Sequence, residues 1–322
     1  MTIQKKLFLF FMLTLFTSSP FFSNSKTFRF GSNIITSIFD ENLYPGDPVF
    51  LKLLVESPFI KNEINAHVEI IENKTGKRIR SAKMYNLEEG NINPTTKTLF
   101  VGLPLSTYLS PGSYTMQIDF QSNALNERLL IPFSLKEKTF VQETIPLDPV
   151  NTAIKTDDSP QRMAQIDNLN AVLNTINLEA KNTIEAFMQP VHSTRRTSFF
   201  GDRRTFAYSN GKSETNLHFG IDFGVPIGTE IFACASGKVL MSEMRNSTGW
   251  TIVIEHFPGL YSLYYHLDKM LVKKDDFVQK GDLIGLSGKT GLATGPHLHW
   301  EMRLLAEAVN PDYFVERFDL FK

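Results

Sequence analysis

The feature that most limits how this chain folds is a hydrophobic period of two. Val49, Leu51, Leu53 and Val55 alternate with Phe50, Lys52 and Leu54. Ala66, Val68 and Ile70 alternate with Asn65, His67 and Glu69 before the turn residues Asn73-Lys74-Thr75-Gly76. Tyr114, Met116, Ile118 and Phe120 alternate with Thr115, Gln117 and Asp119 after Pro111-Gly112. Strand side chains point alternately to opposite faces, so each run offers one face to a core. Short strands with frequent turns predict a β-sandwich module over residues 26–141. It shows no metal-donor cluster and no nucleophile arrangement, so it reads as a spacer or binding module. His67 is expected on a solvent-facing side.

Residues 142–186 read as a linker followed by an amphipathic helix. Pro146, Pro149 and Pro160 interrupt a stretch with few apolar residues. Ser159-Pro160 has the form of a helix start, with serine as the cap and proline at the first helical position. Met163, Ile166, Leu169, Leu173 and Ile176 then form one apolar face. Residues 187–322 return to glycine-rich strands joined by short loops, expected at 230–235, 238–243, 250–256, 261–267 and 297–304. Little helix and many short connections predict an antiparallel all-β domain. The fold class expected for the whole chain is mainly β.

Lys5 and Lys6 precede a ten-residue run, LFLFFMLTLF, and Ser23 and Ser25 follow it. Ten residues are too few to span a bilayer. This is the layout of a secretory signal peptide over residues 1–25, cut before Lys26. The alternative is an uncleaved anchor extended by Pro20-Phe21-Phe22. An exported chain is expected, periplasmic or associated with the cell envelope, with no membrane span after cleavage. Lys plus Arg is 33 against Asp plus Glu 34, which leaves no basic footprint for nucleic acid. The single cysteine, Cys234, excludes a disulfide within one chain.

Chemistry concentrates in the histidines. Five of the seven lie between His218 and His299. In HFGID, His218 and Asp222 share a strand face, with Gly220 between them expected to leave space for an ion. In GPHLHWE, His297 and His299 share a face while Leu298 and Trp300 point into a core. In YYHL, alternation puts His266 with Tyr264, opposite Leu263, Tyr265 and Leu267. Two imidazoles and a carboxylate make a catalytic zinc set, which keeps its fourth position for water and lowers that water's pKa to about 7. Four histidines and one aspartate exceed such a set by two, and the surplus pair would serve proton transfer and charge stabilisation.

HFGIDFGVPIGTEIFACASGKV, YSLYYHL, VQKGDLIGLSGKTGLATGPHLHWEMR and VNP resemble the LytM/lysostaphin-type zinc metallopeptidases over residues 189–314. The resemblance implies a small antiparallel β-fold, the duplicated hybrid motif. It implies one Zn2+ per chain held by His218, Asp222 and His299, with His297 as general base and His266 as second catalytic histidine. It implies hydrolysis of peptide bonds in peptidoglycan cross-links or bridges. In that scheme His297 deprotonates the attacking water, and His266 stabilises the oxyanion or assists proton transfer. Asp276 and Ala306-Glu307 stand where the family often has glycine, which bears on loop shape. The N-terminal module lies outside the resemblance. Its YLSPGSYTMQI is loosely similar to immunoglobulin-like modules, and it is expected to regulate or position the peptidase within the same chain.

Two other functions compete: a non-enzymatic LytM-domain regulator of another cell-wall hydrolase, and a peptidase acting on protein. Regulators of that kind typically lack zinc ligands, and this chain keeps them all. Glu301 shares strand parity with His299 and would orient it, or else serve as a surface carboxylate. Arg195, Arg196, Arg203 and Arg204 form a basic patch, either for the carboxylates of peptidoglycan stems or for structural ion pairs. Cys234, in FACAS, reads as a buried inert thiol with no basic partner evident nearby, and His192 and His256 as incidental.

Overall fold

The structure is a computed structural model, and it describes residues 24–58, 64–87, 95–121, 126–180 and 186–318. It is mainly β, as expected. Nine strands come first: β1 (Asn24–Phe30), β2 (Asn33–Phe39), β3 (Pro48–Glu56), β4 (Asn65–Glu72), β5 (Arg78–Lys83), β6 (Tyr85–Leu87), β7 (Thr96–Pro104), β8 (Gly112–Gln121) and β9 (Arg128–Leu135). They form two antiparallel sheets, ordered β1-β2-β3-β7-β6 and β5-β4-β8-β9. Val49, Leu51, Leu53 and Val55 of one sheet and Val68, Ile70, Met116 and Ile118 of the other meet in one buried core. That is the period-two pattern acting as read. His67 is exposed on β4. The signal-peptide reading falls mostly on residues 1–23, outside the described residues, and the expected cut before Lys26 lies inside β1.

The next segment carries β10 (Gln142–Pro146), α1 (Pro149–Lys155) and α2 (Pro160–Leu173). Ser159 caps α2 through its hydroxyl, which accepts from the Arg162 amide at 3.3 Å, and Pro160 opens the helix. The expected apolar face is only partly used. Leu169, Val172 and Leu173 pack on Met241, Val253, Tyr261, Leu263 and Tyr265. Met163 is exposed, and Ile176 lies beyond the Asn174 cap.

The remaining strands are β11 (Arg196–Ser198), β12 (Arg203–Ala207), β13 (Ser213–Leu217), β14 (Gly220–Phe223), β15 (Glu230–Phe232), β16 (Gly237–Arg245), β17 (Gly249–Phe257), β18 (Leu260–Met270), β19 (Phe277–Val278), β20 (Leu283–Ser287), β21 (Leu298–Leu304) and β22 (Glu307–Val309), before α3 (Pro311–Glu316). The main sheet runs β11-β14-β21-β18-β17-β16-β19, and β10-β12-β13 form a smaller sheet beside it. Where glycine was expected between β21 and β22, Leu305 and Ala306 both take positive φ, 49° and 66°. A two-residue hairpin turn with φ positive at both centres has the twist that joins adjacent strands, so the turn survives without glycine. At the other departure Asp276 accepts the Lys273 amide at 2.9 Å, and the positive φ falls on Asp275.

The two β units meet across a phenylalanine seam. Phe50 and Phe100 leave the outer face of β3 and β7 and stack with centroids 5.6 Å apart. Phe50 then meets Phe318 at 4.8 Å and Phe314 at 5.9 Å, and Phe100 meets Phe257 at 5.3 Å. Gly102 is required here, because a Cβ would lie 2.5 Å from the Phe50 ring. Beside the seam Arg317 donates to buried Asp47 at 2.9 Å and to Asp40 at 2.6 Å, and Asn310 donates to Asp47 at 3.1 Å. An arginine whose partner carboxylate is buried is fixed in position, because separating them strands a charge.

Phe314 is fully buried in this seam. Phe314→Ala should lower unfolding free energy by about 3–5 kcal/mol in denaturant titrations. A second prediction concerns pH. His256 sits in the core, its Nδ1 donating to Ser236 O at 2.9 Å and its Nε2 lying 2.7 Å from Ser262 Oγ. Burial pushes its pKa down to about 4. The unfolded chain, titrating near 6.5, therefore binds the proton more tightly. Stability contributed by keeping this ring neutral is full above about pH 6.5 and is lost as pH falls toward 4, by about 3 kcal/mol. The pH dependence of unfolding should be flatter by that amount in His256→Asn.

Candidate metal centre

The site grows from one strand pairing. β14 runs antiparallel to β21, which places Asp222 opposite His299 and Gly220 opposite Glu301. On its other side β21 pairs with β18, which places His299 opposite Tyr265. Gly220 is explained by this contact and not by room for an ion, which corrects the expectation. A Cβ there would lie 2.2 Å from the Trp300 carbonyl oxygen, so only glycine lets the strands close. His218 stands in the break between β13 and β14, held by its amide on Asp202 O at 2.8 Å.

His218, Asp222 and His299 are buried and present one donor atom each to a common point. His218 Nε2 is 3.1 Å from Asp222 Oδ1 and 3.0 Å from His299 Nδ1, and His299 Nδ1 is 2.7 Å from Asp222 Oδ1. Among the described residues no other trio of metal-donor side chains gathers in this way.

Each imidazole is oriented from behind. His218 Nδ1 lies 2.7 Å from the Phe199 carbonyl, so it carries the hydrogen and leaves the Nε2 lone pair facing inward. His299 is turned the other way. Its Nε2 donates to Glu301 at 2.9 Å, leaving Nδ1 inward, and Arg303 holds Glu301 at 2.6 Å. Outer acceptors that fix a ring and its tautomer are what metal-binding histidines require. Asp222 divides its oxygens, Oδ1 toward the imidazoles and Oδ2 to Arg204 at 2.7 Å. The Tyr265 ring lies parallel to His299 at 5.3 Å.

His297 and His266 border the trio. His297 Nε2 is 3.8 Å from Asp222 Oδ1, and the His266 and His297 rings are 4.6 Å apart. His297 Nδ1 donates to Gly295 O and His266 Nδ1 to Thr290 O, each at 2.8 Å. Nε2 is therefore the free, basic nitrogen of both rings. Burial lowers both pKa values, that of His266 to about 3, and keeps both rings neutral. Burial also opposes charge on Asp222 and His299, but His218 and His299 outweigh it at Asp222, and Asp222 and Glu301 outweigh it at His299. Without a metal ion Asp222 stays well below the usual carboxylate range and His299 rises to about 9, so its Nδ1 proton is the one a metal ion would displace.

All five residues singled out from the sequence come together. Leu298 and Trp300 are buried on the opposite face, as the alternation required. The YYHL reading needs correction. His266 has φ 61°, which breaks the alternation, so Tyr264 and Leu267 enter one core and His266 turns to the site beside Tyr265. The arginines do not form a patch. Arg196 pairs with Asp312, Arg203 donates to Thr107 O, Arg195 donates to Gly224 O and Arg204 holds Asp222. Cys234 does have a histidine near it, His256 Nε2 at 3.8 Å. The thiol is nevertheless fully buried and pushed up to about 11 by that burial, so it is inert. Glu143, Tyr265 and Arg303 were not singled out from the sequence; they reach the site through Arg204, through the face of the His299 ring and through Glu301.

Comparisons with known proteins agree with this geometry. Residues 216–311 match the family described as Peptidase family M23. An uncharacterized metalloprotease of Buchnera aphidicola is 44% identical over 105 residues, covering 33% of this chain and 28% of that protein. The peptidoglycan DD-endopeptidase ShyA of Vibrio cholerae is 44% identical over 93 residues, 29% of this chain and 22% of that protein. The matched stretch thus spans about a quarter of each relative. A crystal structure from Pseudomonas aeruginosa assigned to peptidase M23 is similar over 86% of this chain and 96% of that one, with a TM-score of 0.55 and 22% identity, a likeness of fold. Over residues 216–311 the chain is thus similar to Peptidase family M23.

Proposed function

We propose that the chain is an exported zinc metalloendopeptidase that hydrolyses peptide bonds in peptidoglycan cross-links or bridges. The observation that carries this reading is the convergence of two buried imidazoles and one carboxylate, each oriented from behind, beside two neutral histidines. The relatives named as metalloprotease and peptidoglycan DD-endopeptidase supply the substrate class.

The donor set fits zinc, which takes imidazole nitrogen and carboxylate oxygen and works in catalysis with three protein ligands. His218 through Nε2, Asp222 through Oδ1 and His299 through Nδ1 would hold it. Bound there, zinc supplies Lewis acidity toward a peptide carbonyl and makes water easier to deprotonate. The chain's own residues do the rest. His297 accepts the proton of the attacking water at Nε2, because its Nδ1 is committed to Gly295. That proton, held on His297 Nε2, then passes to the leaving amine, directly or by way of His266 Nε2, whose ring lies 4.6 Å from that of His297 and is tied at Nδ1 to Thr290. Both rings present an unprotonated Nε2 at neutral pH, the form in which a proton can be accepted. Glu301 keeps His299 in the tautomer that faces inward.

The proposed organisation is a signal over 1–25, a β-sandwich module over 26–141 that regulates or positions the peptidase, a linker with a helix over 142–186 and the peptidase unit over 187–322. No described helix is long and apolar enough to cross a membrane.

The ligand and catalyst roles separate experimentally. Asp222→Ala should lose most of its zinc by elemental analysis and release no fragments from purified sacculi. His297→Ala and His266→Ala should keep close to one equivalent of zinc, while turnover falls by about 10²–10⁴-fold. Loss of zinc from His297→Ala with retention in His299→Ala would reverse the assignment within the HLH strand. Full activity in all four variants would leave the regulator reading in its place.

A further inference from the structure

Arg204 is the group behind the metal centre that the catalytic reading leaves unused. It is mostly buried, and it spans two carboxylates: Nη2 donates to Asp222 Oδ2 at 2.7 Å and Nε donates to Glu143 Oε1 at 2.8 Å. Glu143 does not belong to the M23-matched stretch. It lies on β10, in the segment between the two β units, and reaches Arg204 because β10 and β12 pair in parallel with Glu143 opposite Arg204. That pairing is locked at both ends, by the Arg203 amide on Val141 O and the Leu147 amide on Ala207 O, each at 2.8 Å.

We propose that Glu143 is a positioning residue of the metal centre, acting through Arg204 on Asp222. This rests on the reading of His218, Asp222 and His299 as zinc ligands. The physical argument has two parts. Arg204 occupies Oδ2, so a single oxygen of Asp222, Oδ1, faces the imidazoles. A guanidinium so close to a cation site also opposes the cation, and a carboxylate on its far side offsets that charge. Glu143 supplies it. Its removal would leave a full positive charge drawn onto Asp222 alone, and both the donor strength of Asp222 and the local potential would turn against a metal ion.

Zinc affinity of the full-length chain, measured by competition with a colorimetric zinc chelator, tests this. The parent should bind one equivalent and Asp222→Ala should not. A parent that binds no zinc sinks the ligand reading and this proposal with it. With the parent binding, Glu143→Gln should weaken zinc about 10–100-fold, the range seen when groups behind metal ligands are altered. Its unfolding midpoint in excess chelator should match the parent's, because Glu143 is partly exposed and glutamine keeps its shape. Glu143→Gln combined with Arg204→Gln should bind zinc more tightly than Glu143→Gln alone, since the unbalanced cation is gone. An affinity of Glu143→Gln within twofold of the parent, or a double variant weaker than the single one, overturns the proposal.

Discussion

The antiparallel register of β14 against β21 is the constraint on which the site depends. It sets Asp222 directly across from His299 and brings Tyr265 to the far side of the same ring. The strands close only because Gly220 has no side chain to meet the Trp300 carbonyl. A slip of one residue would send Asp222 and His299 into the core and bring Trp300 to the surface. The core forbids that slip, since Ile221, Phe223, Leu298 and Trp300 are all buried on the other face. Fold stability and site geometry are thus one requirement.

Around that pairing, charge is arranged in shells. Asp222 is compensated by Arg204, Arg204 by Glu143, His299 by Glu301 and Glu301 by Arg303. Buried charges persist only where they are paired, and this chain of pairs extends from the M23-matched residues into β10. The seam of Phe50, Phe100, Phe314 and Phe318 joins the N-terminal sheets to the same body. The modules are therefore packed against each other as well as linked.

Much of this was legible in the sequence, for identifiable reasons. Period two gave β3, β4 and β8, because each buries one face against a single core. HxH placed its pair on a common face, because strand parity is independent of distant context, whereas HxxxD brought its donors together although His218 stands outside β14. Three things were not legible. His266 escaped the parity argument because a left-handed backbone at one residue inverts everything after it. The covering of Phe50 on β3 had no signal, because nothing local says that a second domain packs there. Asp148-Pro149 has the same cap-and-proline form as Ser159-Pro160 and does start α1, with Asp148 accepting the Asn151 amide at 2.7 Å, yet the prolines around it read as linker. For the arginines the sequence left a patch and structural ion pairs open, and the ion pairs are what the structure holds. Sequence shows their clustering but not their partners, which for Arg196 and Arg204 include Asp312 and Glu143 on other elements.

The central claim is that three named atoms form the ligand set while two neighbouring histidines remain free of the metal. Anomalous diffraction at the zinc edge from crystals of the full chain grown with zinc tests it most directly. The account predicts a single strong peak bonded to His218 Nε2, Asp222 Oδ1 and His299 Nδ1, with His297 and His266 outside bonding distance. A peak bonded to His297 or His266, or zinc bound only elsewhere on the chain, would contradict it.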